Sequence, residues 1–255
     1  MLLVVDIGNT NTTLGVFDKD NLVNTFSFSS DTKKTEDEYG IMLLTVLNHN
    51  NIVSKIKGAI VSSVVPQLCE IFKNSIKKYL NIEPISLSYK SKMPIKLALK
   101  NNKEIGADRI ANASAACYKY KLPAIVIDFG TATTFDIVDE DKNFIGGIIA
   151  PGLKIQANSL SQFTSKLPKL KIEAPKSAIG IDTISAMLSG IVLGHGAMIE
   201  GMIKKCEDEL KTKATIIATG GYSPILFEKM ENVFNYIDKD LTLFGLKKLY
   251  ELNKE

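Results

Sequence analysis

Two short segments of the chain repeat one pattern, and this repetition constrains the fold more than any other feature of the sequence. The first segment reads VVDIGNTNTTLGVFD (4–18) and the second reads IVIDFGTATTFDIVD (125–139). In each, an apolar run ends on an aspartate, a glycine follows, and threonines lead into a second apolar run. Apolar runs joined by a turn rich in Gly and Thr are typical of a β-hairpin. Two equivalent hairpins in one chain indicate a duplicated unit.

The segments around the hairpins also match in type and order. In the first half the pattern predicts strands at 2–6, 12–17 and 22–28, a helix capped by Thr35 and Glu38, a strand in GAIVSSVV, a helix opened by Pro66, a strand in PISLS and a helix in GADRIANASAACYKY. In the second half it predicts strands in AIVIDF, TTFDIVD and NFIGGIIA, a helix after Pro151, a long helix from 182 to 211, a strand in ATIIATGG, a helix, a weak strand near 233–236 and a helix at 241–252. The lysine- and proline-rich segment 164–178 is predicted to be a surface loop. The predicted fold is therefore α/β, with two βββαβαβα halves at residues 1–120 and 121–255.

Composition excludes several classes of function. The 255 residues carry a net charge of +3, and the lysines are scattered without interleaved aromatic residues, which argues against a nucleic-acid or acidic membrane partner. No run approaches the roughly 20 apolar residues of a membrane span, and the first apolar run stops at Asp6, unlike a signal peptide. Three widely separated cysteines are typical of a reducing compartment, so we expect a cytoplasmic protein. The only histidines are His49 and His195, and His195, inside the long helix, is interpreted as structural.

The hairpin turns have the chemistry of a phosphate-binding site. In DIGNTNT, Gly8 lets the backbone approach a ligand, and the residues after it supply hydrogen-bond donors: Asn9, Thr10, Asn11 and Thr12. Asp6 would repel a phosphate directly, so we assign it to Mg²⁺. The alternative is an ordinary turn, because Asp, Gly and Asn favour turns. Two copies facing a cleft between the halves favour a clamp for a nucleoside triphosphate, and neither a Walker A sequence nor GxGxxG occurs.

A second chemical feature is the segment EIGADRIANA. Gly106 precedes an alanine-rich helix, which places Asp108 and Arg109 in its first turn. The helix dipole favours a carboxylate there by roughly 0.3–1 kcal/mol, so we expect a low pKa and an ionised Asp108. On composition alone, Asp108 is equally explained as a favourable residue for a helix N-terminus.

Together these blocks resemble a known family. The duplicated order is similar to that of the acetate-kinase, sugar-kinase, Hsp70 and actin superfamily, with actin-like ATPase (ribonuclease H-like) halves. The short chain resembles its type III pantothenate kinases in particular. The blocks that carry the resemblance follow one another in the family's order: DIGNTNTTLGVF, SSVVP, GADR, DFGTATTFD, GGIIAPGL and TGG.

The resemblance implies an enzyme that phosphorylates pantothenate to 4'-phosphopantothenate with ATP, the first step of coenzyme A biosynthesis. It implies Asp108 as the catalytic base and Asp128 as the site of a K⁺ or NH₄⁺ ion. The implied nucleotide contacts are Asp6, Ile7, Gly8, Asn9, Thr10, Asn11, Thr12, Thr13 and Thr131. The implied pantothenate contacts are Gly106, Ala107, Asp108, Arg109 and Thr183. It also implies a homodimer whose site lies near the subunit interface.

Some alternatives remain open at this level. Thr183 could instead be the cap of the long helix, and the apolar stripe of that helix fits a dimer face or an ordinary core. Family members often have an aromatic residue and a proline at the positions of Leu99 and Asn102, and Tyr89 or Tyr118 could replace the aromatic. The alternative functions are a non-catalytic regulatory protein of the same fold and a small kinase for another alcohol.

Overall fold

The structure is a computed structural model that describes residues 1–227, 230 and 232–254. The chain divides into two compact units. The first comprises Met1–Lys96, Lys100–Tyr118 and Asp240–Glu255, and the second comprises Leu97–Leu99 and Lys119–Lys239.

The strands and helices follow the predicted order, with some differences in extent. The strands are β1 (Leu2–Ile7), β2 (Asn11–Asp18), β3 (Asn21–Ser29), β4 (Gly58–Ser63), β5 (Ile85–Ser86), β6 (Lys96–Leu97), β7 (Ala124–Phe129), β8 (Ala132–Val138), β9 (Asn143–Pro151), β10 (Thr215–Thr219) and β11 (Tyr236–Ile237). The helices are α1 (Glu36–His49), α2 (Pro66–Leu80), α3 (Ala107–Lys119), α4 (Leu153–Phe163), α5 (Thr183–Leu188), α6 (Gly194–Leu210), α7 (Ser223–Phe227) and α8 (Leu241–Asn253).

The first unit is a mixed sheet covered by helices on both faces. Its strand order is β3-β2-β1-β4-β5, with β1 antiparallel to β2 and parallel to β4. Because side chains alternate along a strand, Leu3, Val5 and Ile7 pack on one face with α1 and α2. Val4 and Ile60 lie on the opposite face, in a cluster with residues of α3 and α8.

The start of α1 confirms the predicted capping box. The Glu38 backbone N–H donates to Thr35 Oγ1 at 3.3 Å, and the Thr35 N–H donates to Glu38 Oε2 at 2.8 Å. Two of the backbone donors at this helix terminus are thereby satisfied.

The second unit repeats the sheet of the first. Its order is β11-β10-β7-β8-β9-β6, so β7 to β11 occupy the places of β1 to β5, and β6 is an addition at the edge. The duplicated fold is confirmed. The segment 164–178 is irregular, as predicted, but it is anchored, because Leu167, Leu170 and Ile172 pack against the core of this unit.

The observed units differ from the predicted division into residues 1–120 and 121–255 at Leu97–Leu99, at residues 119–120 and, most extensively, in the last segment. Helix α8 follows the second set of strands in sequence, yet it packs with β1 and β4 in the first unit. The reason is the apolar face of the first sheet, where Leu243, Leu246 and Leu249 are buried beside Val4 and Ile60. Glu255, the end of the predicted second half, lies outside the described residues.

The long predicted helix is not continuous α-helix. A π-helical turn, Ser189–Leu193, joins α5 to α6. The stretch Thr183–Leu210 has the length and hydropathy of a membrane span, although its sequence contains no unbroken apolar run of that length. Its buried residues Ile191, Val192, Ile199 and Ile203 pack in the core of the second unit, as expected of a core helix.

Candidate active site

The first hairpin exposes its turn and buries alternate side chains. The Gly8 N–H donates to the Asn11 carbonyl at 3.0 Å, and the Ser30 N–H donates to the Thr10 carbonyl at 2.9 Å. Asn9, Thr10 and Asn11 are exposed, so the turn faces solvent, from which a ligand would approach.

The predicted donor role of the Thr12 side chain is wrong. Thr12 is fully buried, and its Oγ1 lies 2.9 Å from Ser30 Oγ. Ile7, its partner in the strand register, is likewise part of the core, so these two residues can offer a ligand only backbone groups. The side chains that share a face at the strand end are Asp6 and its register partner Thr13.

The Asp6 carboxylate is flanked by a hydroxyl on the neighbouring parallel strand. Ser62 is the register partner of Asp6 on β4, and its Oγ is fully buried with no hydrogen-bond partner in the described part of the chain. A buried hydroxyl without a partner is costly, so a bound water or ion at this strand end would lower the energy of the site.

Asp108 is the second residue of α3, and its carboxylate lies back over Gly106, before the helix start. Its Oδ1 accepts a hydrogen bond from the Arg109 backbone N–H at 2.8 Å. A Cβ at Gly106 would lie only 2.4 Å from the same oxygen, so the absence of a side chain at position 106 is what makes room for it.

The expected low pKa of Asp108 is wrong. Burial raises the pKa of the Asp108 carboxyl above its ordinary value, although the Arg109 N–H and the Arg109 guanidinium act in the opposite direction. Part of the side chain is accessible to solvent, but the protein atoms packed around it outweigh the helix terminus. A raised pKa makes the carboxylate a stronger base than an ordinary aspartate.

Asp6 and Asp108 lie at the same edge of the first sheet. The Val64 N–H, directly after β4, donates to the Ile7 carbonyl at 3.0 Å. Val64 Cγ1 in turn lies 3.4 Å from the position of a Cβ at Gly106. The carboxyl ends of β1 and β4 therefore adjoin the start of α3.

The second hairpin repeats this arrangement in its own unit. Asp128 is the last residue but one of β7. The Gly130 N–H donates to the Ala132 carbonyl at 3.1 Å, and Thr131 is exposed. Gly220 lies against Asp128 in the left-handed region (φ +88°), and a Cβ there would be 2.4 Å from Asp128 Oδ1.

Sequence reasoning missed the hydroxyl residue beside each acid. Thr219 is the register partner of Asp128 on β10, and its buried Oγ1 has no hydrogen-bond partner among the described residues, as at Ser62. Both residues lie at the carboxyl end of the strand that runs parallel to the acid-tipped strand: Thr219 is the last residue of β10 and Ser62 the last but one of β4. The sequence did contain a signal, because Ser62 and Thr219 are the first residues of the segments SSVVP and TGG.

Thr183 lies in the second unit, exposed in the first turn of α5, whereas Asp108 and Arg109 lie in the first unit. The helix cap is Asp182, whose carboxylate accepts the Ser185 N–H at 2.8 Å. The alternative role of Thr183 as a cap is therefore wrong, and its hydroxyl is not used for capping.

Comparison with known proteins identifies the family. The model of the family described as type III pantothenate kinase matches residues 2–205. The chain belongs to the type III pantothenate kinase family. A type III pantothenate kinase from Finegoldia magna is 45% identical over 258 residues, covering 100% of this chain and 98% of the relative.

Solved structures show the same actin-like ATPase fold. A conserved protein from Campylobacter jejuni, named as a Baf family transcriptional activator, has a TM-score of 0.61 at 22% identity and covers 98% of this chain and 97% of its own. The activator of 2-hydroxyisocaproyl-CoA dehydratase from Clostridium difficile, with bound ADPNP, has a TM-score of 0.53 at 12% identity and covers 99% and 94%.

Members of the type III pantothenate kinase family often carry an aromatic residue at the position of Leu99. Of its two candidate replacements in this chain, Tyr118 is excluded. Tyr118 lies ten residues beyond Asp108 on α3, about 15 Å along the helix at 1.5 Å per residue, and Lys248 lies over its ring. Tyr89 is partly buried against the cluster that contains Ala107, at the start of α3. Of the two candidate replacements, Tyr89 is the one that remains.

A wide groove of about 850 Å³ lies elsewhere in the second unit. Its walls carry both signs of charge, including Glu200, Lys204, Glu207 and Lys213, and it contains none of the predicted site residues.

Proposed function

We propose that this protein transfers the γ-phosphate of ATP to the primary hydroxyl of pantothenate, forming 4'-phosphopantothenate at the start of coenzyme A biosynthesis. Membership of the type III pantothenate kinase family supports the substrate. The observation that carries the chemistry is the position of the Asp108 carboxylate, at the same sheet edge as the Asp6 hairpin.

Asp108 orients the hydroxyl of pantothenate and accepts its proton. Phosphoryl transfer has a loose transition state in which the alcohol loses its proton late, so positioning and charge neutralisation outweigh base strength. Arg109 carries a planar, permanent charge that suits the carboxylate of pantothenate. Gly106 and Ala107 complete this side of the pocket, and the exposed side chain of Thr183 is a further pantothenate contact.

The two hairpins bind the nucleotide. Residues Asp6 to Thr13 form the nucleotide-binding segment of the first hairpin, with Asn9, Thr10 and Asn11 in its exposed turn, and Thr131 contributes from the second hairpin. Since Ile7 and Thr12 face the core, they act through backbone groups alone.

The residues at the strand ends suit the ions that the family implies. In the described residues no three His, Cys, Asp or Glu side chains cluster as a metal site, so a divalent ion here would rely on phosphate oxygens and water. Mg²⁺ favours that arrangement with one or two carboxylates, here Asp6 with Ser62 beside it. Asp128 and Thr219 offer oxygens to K⁺ or NH₄⁺. A bound Mg²⁺ would neutralise charge on the transferring phosphate.

The protein is further proposed to be a cytoplasmic homodimer. The outer face of β9 exposes Ile145 and Ile149, at 43% and 69% of their surface. The equivalent strand β3 exposes Val23, at 44% of its surface, where β9 has Ile145, but it has the polar Ser27 where β9 has Ile149. This apolar difference between equivalent strands favours a protein partner, and the family implies a second copy.

A coupled ADP-release assay tests the proposed function. With Mg²⁺ and K⁺, wild type should turn over pantothenate and not a panel of sugars, and Asp108→Asn should lose about 100-fold or more in kcat. Turnover of a sugar would favour the small-kinase alternative. If wild type and Asp108→Asn are equally slow with every acceptor, the chain is a non-catalytic member of the fold.

Removing K⁺ tests the ion site separately. Activity should fall in wild type, and Asp128→Asn should be slow with or without K⁺. Unchanged wild-type activity would contradict the assignment of Asp128.

A further inference from the structure

A histidine in the second unit is held at both ring nitrogens. His195 lies at the start of α6, directly after the π-helical turn, with only 3% of its surface exposed. Its Nε2 lies 3.0 Å from Thr133 Oγ1 on β8, and its Nδ1 lies 2.8 Å from Gln156 Nε2 on α4. One side chain therefore connects three elements of the unit.

Gln156 determines which ring nitrogen carries the proton. Its Nε2 also donates to the Pro151 carbonyl at 2.9 Å. With the amide flipped, Gln156 Oε1 would face that carbonyl oxygen, and both groups are acceptors. The other N–H of the amide therefore points at His195 Nδ1, which must accept. The proton of the neutral ring lies on Nε2 and is donated to Thr133. Burial lowers the pKa of His195, in agreement with a neutral ring, and the ring of Phe129, centroid 6.4 Å away, adds no charge.

Thr133 fixes one strand of the second hairpin. It is the register partner of Phe129 and follows directly after the turn that Gly130 closes onto Ala132. Its hydroxyl bond to His195 thus anchors β8 two residues beyond Thr131.

Pro151 and Gly152 fix the other side of the same turn. Pro151 is the register partner of Ala132 on β9, and a Cβ at Gly152 would lie 2.4 Å from the Thr131 carbonyl oxygen. A cavity of about 180 Å³ borders Pro151, Gln156 and His195, so packing alone does not immobilise this corner. The hydrogen bonds through Gln156 hold it.

The first unit makes the equivalent connection directly. Thr12 occupies the place of Thr133, and Ser30 follows β3 as Gly152 follows β9. There the two hydroxyls meet at 2.9 Å, with the Ser30 N–H on the Thr10 carbonyl. In the second unit glycine stands in place of this serine.

We infer that His195, acting through Thr133 and Gln156, is the positioning residue of the second hairpin and holds Thr131 in place for the nucleotide. It replaces the serine contact of the first unit. The inference rests on the proposed contact between Thr131 and ATP, and two of its tests do not require turnover.

The ring state is the first test. The chain has only two histidines, and His49 is exposed, so imidazole ¹⁵N spectra contain an internal control. His195 should show the Nε2–H tautomer and stay neutral at a pH of about 6.5, where half of the free imidazole groups are charged. An Nδ1–H tautomer, or a charged His195 ring at that pH, would overturn the inference.

Variants provide the second test. His195→Phe keeps a ring without hydrogen bonds and should raise the KM for ATP about 3- to 10-fold, with the KM for pantothenate unchanged. His195→Gln keeps a donor and an acceptor and should restore wild-type behaviour, and His49→Gln is the control. Thr133→Val removes the same bond from the other side and serves if His195→Phe does not fold. Equal effects on both KM values, or no rescue by Gln, would refute positioning.

Hydrogen exchange gives the readout that is independent of activity. In His195→Phe the amides of 130–132 should exchange about 3- to 10-fold faster, while those of 8–12 in the first hairpin stay unchanged. Equal acceleration in both hairpins would indicate general destabilisation and overturn the inference. If the wild type is inactive on pantothenate, only the proposed function is refuted. The positioning role of His195 is still tested by the spectra and the exchange rates.

Discussion

Gly106→Ala should separate the catalytic role of Asp108 from the stability of the fold. A Cβ at position 106 would lie 2.4 Å from Asp108 Oδ1 and 3.4 Å from Val64 Cγ1. The contact with Val64 is ordinary, so the strain falls on the carboxylate. Because a carboxylate is the movable end of a side chain, it can retreat without disturbing the backbone.

The distance that Asp108 Oδ1 must move follows from the geometry. Oδ1 must move by at least 0.6 Å, from 2.4 to 3.0 Å, and by 1.0 Å to reach the ordinary contact distance of 3.4 Å. A misplacement of about 1 Å in a catalytic arrangement costs on the order of 100-fold in rate. The free energy of unfolding should change by less than about 1 kcal/mol, since the position is a helix cap with no left-handed backbone requirement.

The assay is steady-state kinetics with pantothenate and ATP, beside thermal unfolding. We expect kcat to fall about 30- to 100-fold, with the KM for ATP nearly unchanged. Gly201→Ala is the matched control, because a Cβ there meets nothing within 4 Å, and Asp108→Asn sets the lower limit of activity. A Gly106→Ala protein with the wild-type melting temperature and kcat within about twofold of wild type would refute this reading of the geometry.

Three further predictions concern Asp108, Gly245 and Gly220. Because the pKa of Asp108 is raised, kcat/KM should begin to fall at a higher pH than it would with an ordinary aspartate as the base. Ionising a buried acid costs stability above its folded pKa, so Asp108→Asn should have a higher melting temperature than wild type at neutral pH and lose this gain in acid. An unchanged melting temperature at both pH values would contradict this prediction. Gly245→Ala would place a Cβ 2.1 Å from the Ala111 carbonyl oxygen, so urea unfolding should show a loss of about 1–3 kcal/mol, and full stability would be unexpected. Gly220→Ala places a side chain in the left-handed region and against Asp128. Calorimetry should show destabilisation of at least about 1 kcal/mol, and activity should no longer respond to K⁺. A retained response to K⁺ would argue against an ion site at Asp128.

Local patterns predicted most of the fold. Both acid-tipped hairpins, the capping box of Thr35 and the helix opened by Pro66 depend on neighbouring residues and formed as expected. The alternation of side chains also contained the information that Thr12 faces the core with Ile7, but its residue type suggested a ligand contact instead.

Features decided by distant residues were harder to predict. Helix α8 packs on the first sheet because that face offers an apolar surface, which sequence order does not reveal. The pKa of Asp108 depends on the atoms that surround it in three dimensions, and these outweigh the local helix dipole. The Thr133–His195–Gln156 connection joins residues on three elements, so a lone histidine in a helical pattern gave no signal of it.

The placement of α8 has a consequence for biosynthesis. As the chain leaves the ribosome, the first sheet emerges with Val4 and Ile60 on a face that only residues near 241–253 can finish covering. Nearly the whole polypeptide must therefore be made before the earliest strands gain their final protection from water. Until then, a chaperone or the nascent α3 alone must shield that surface from association with other chains.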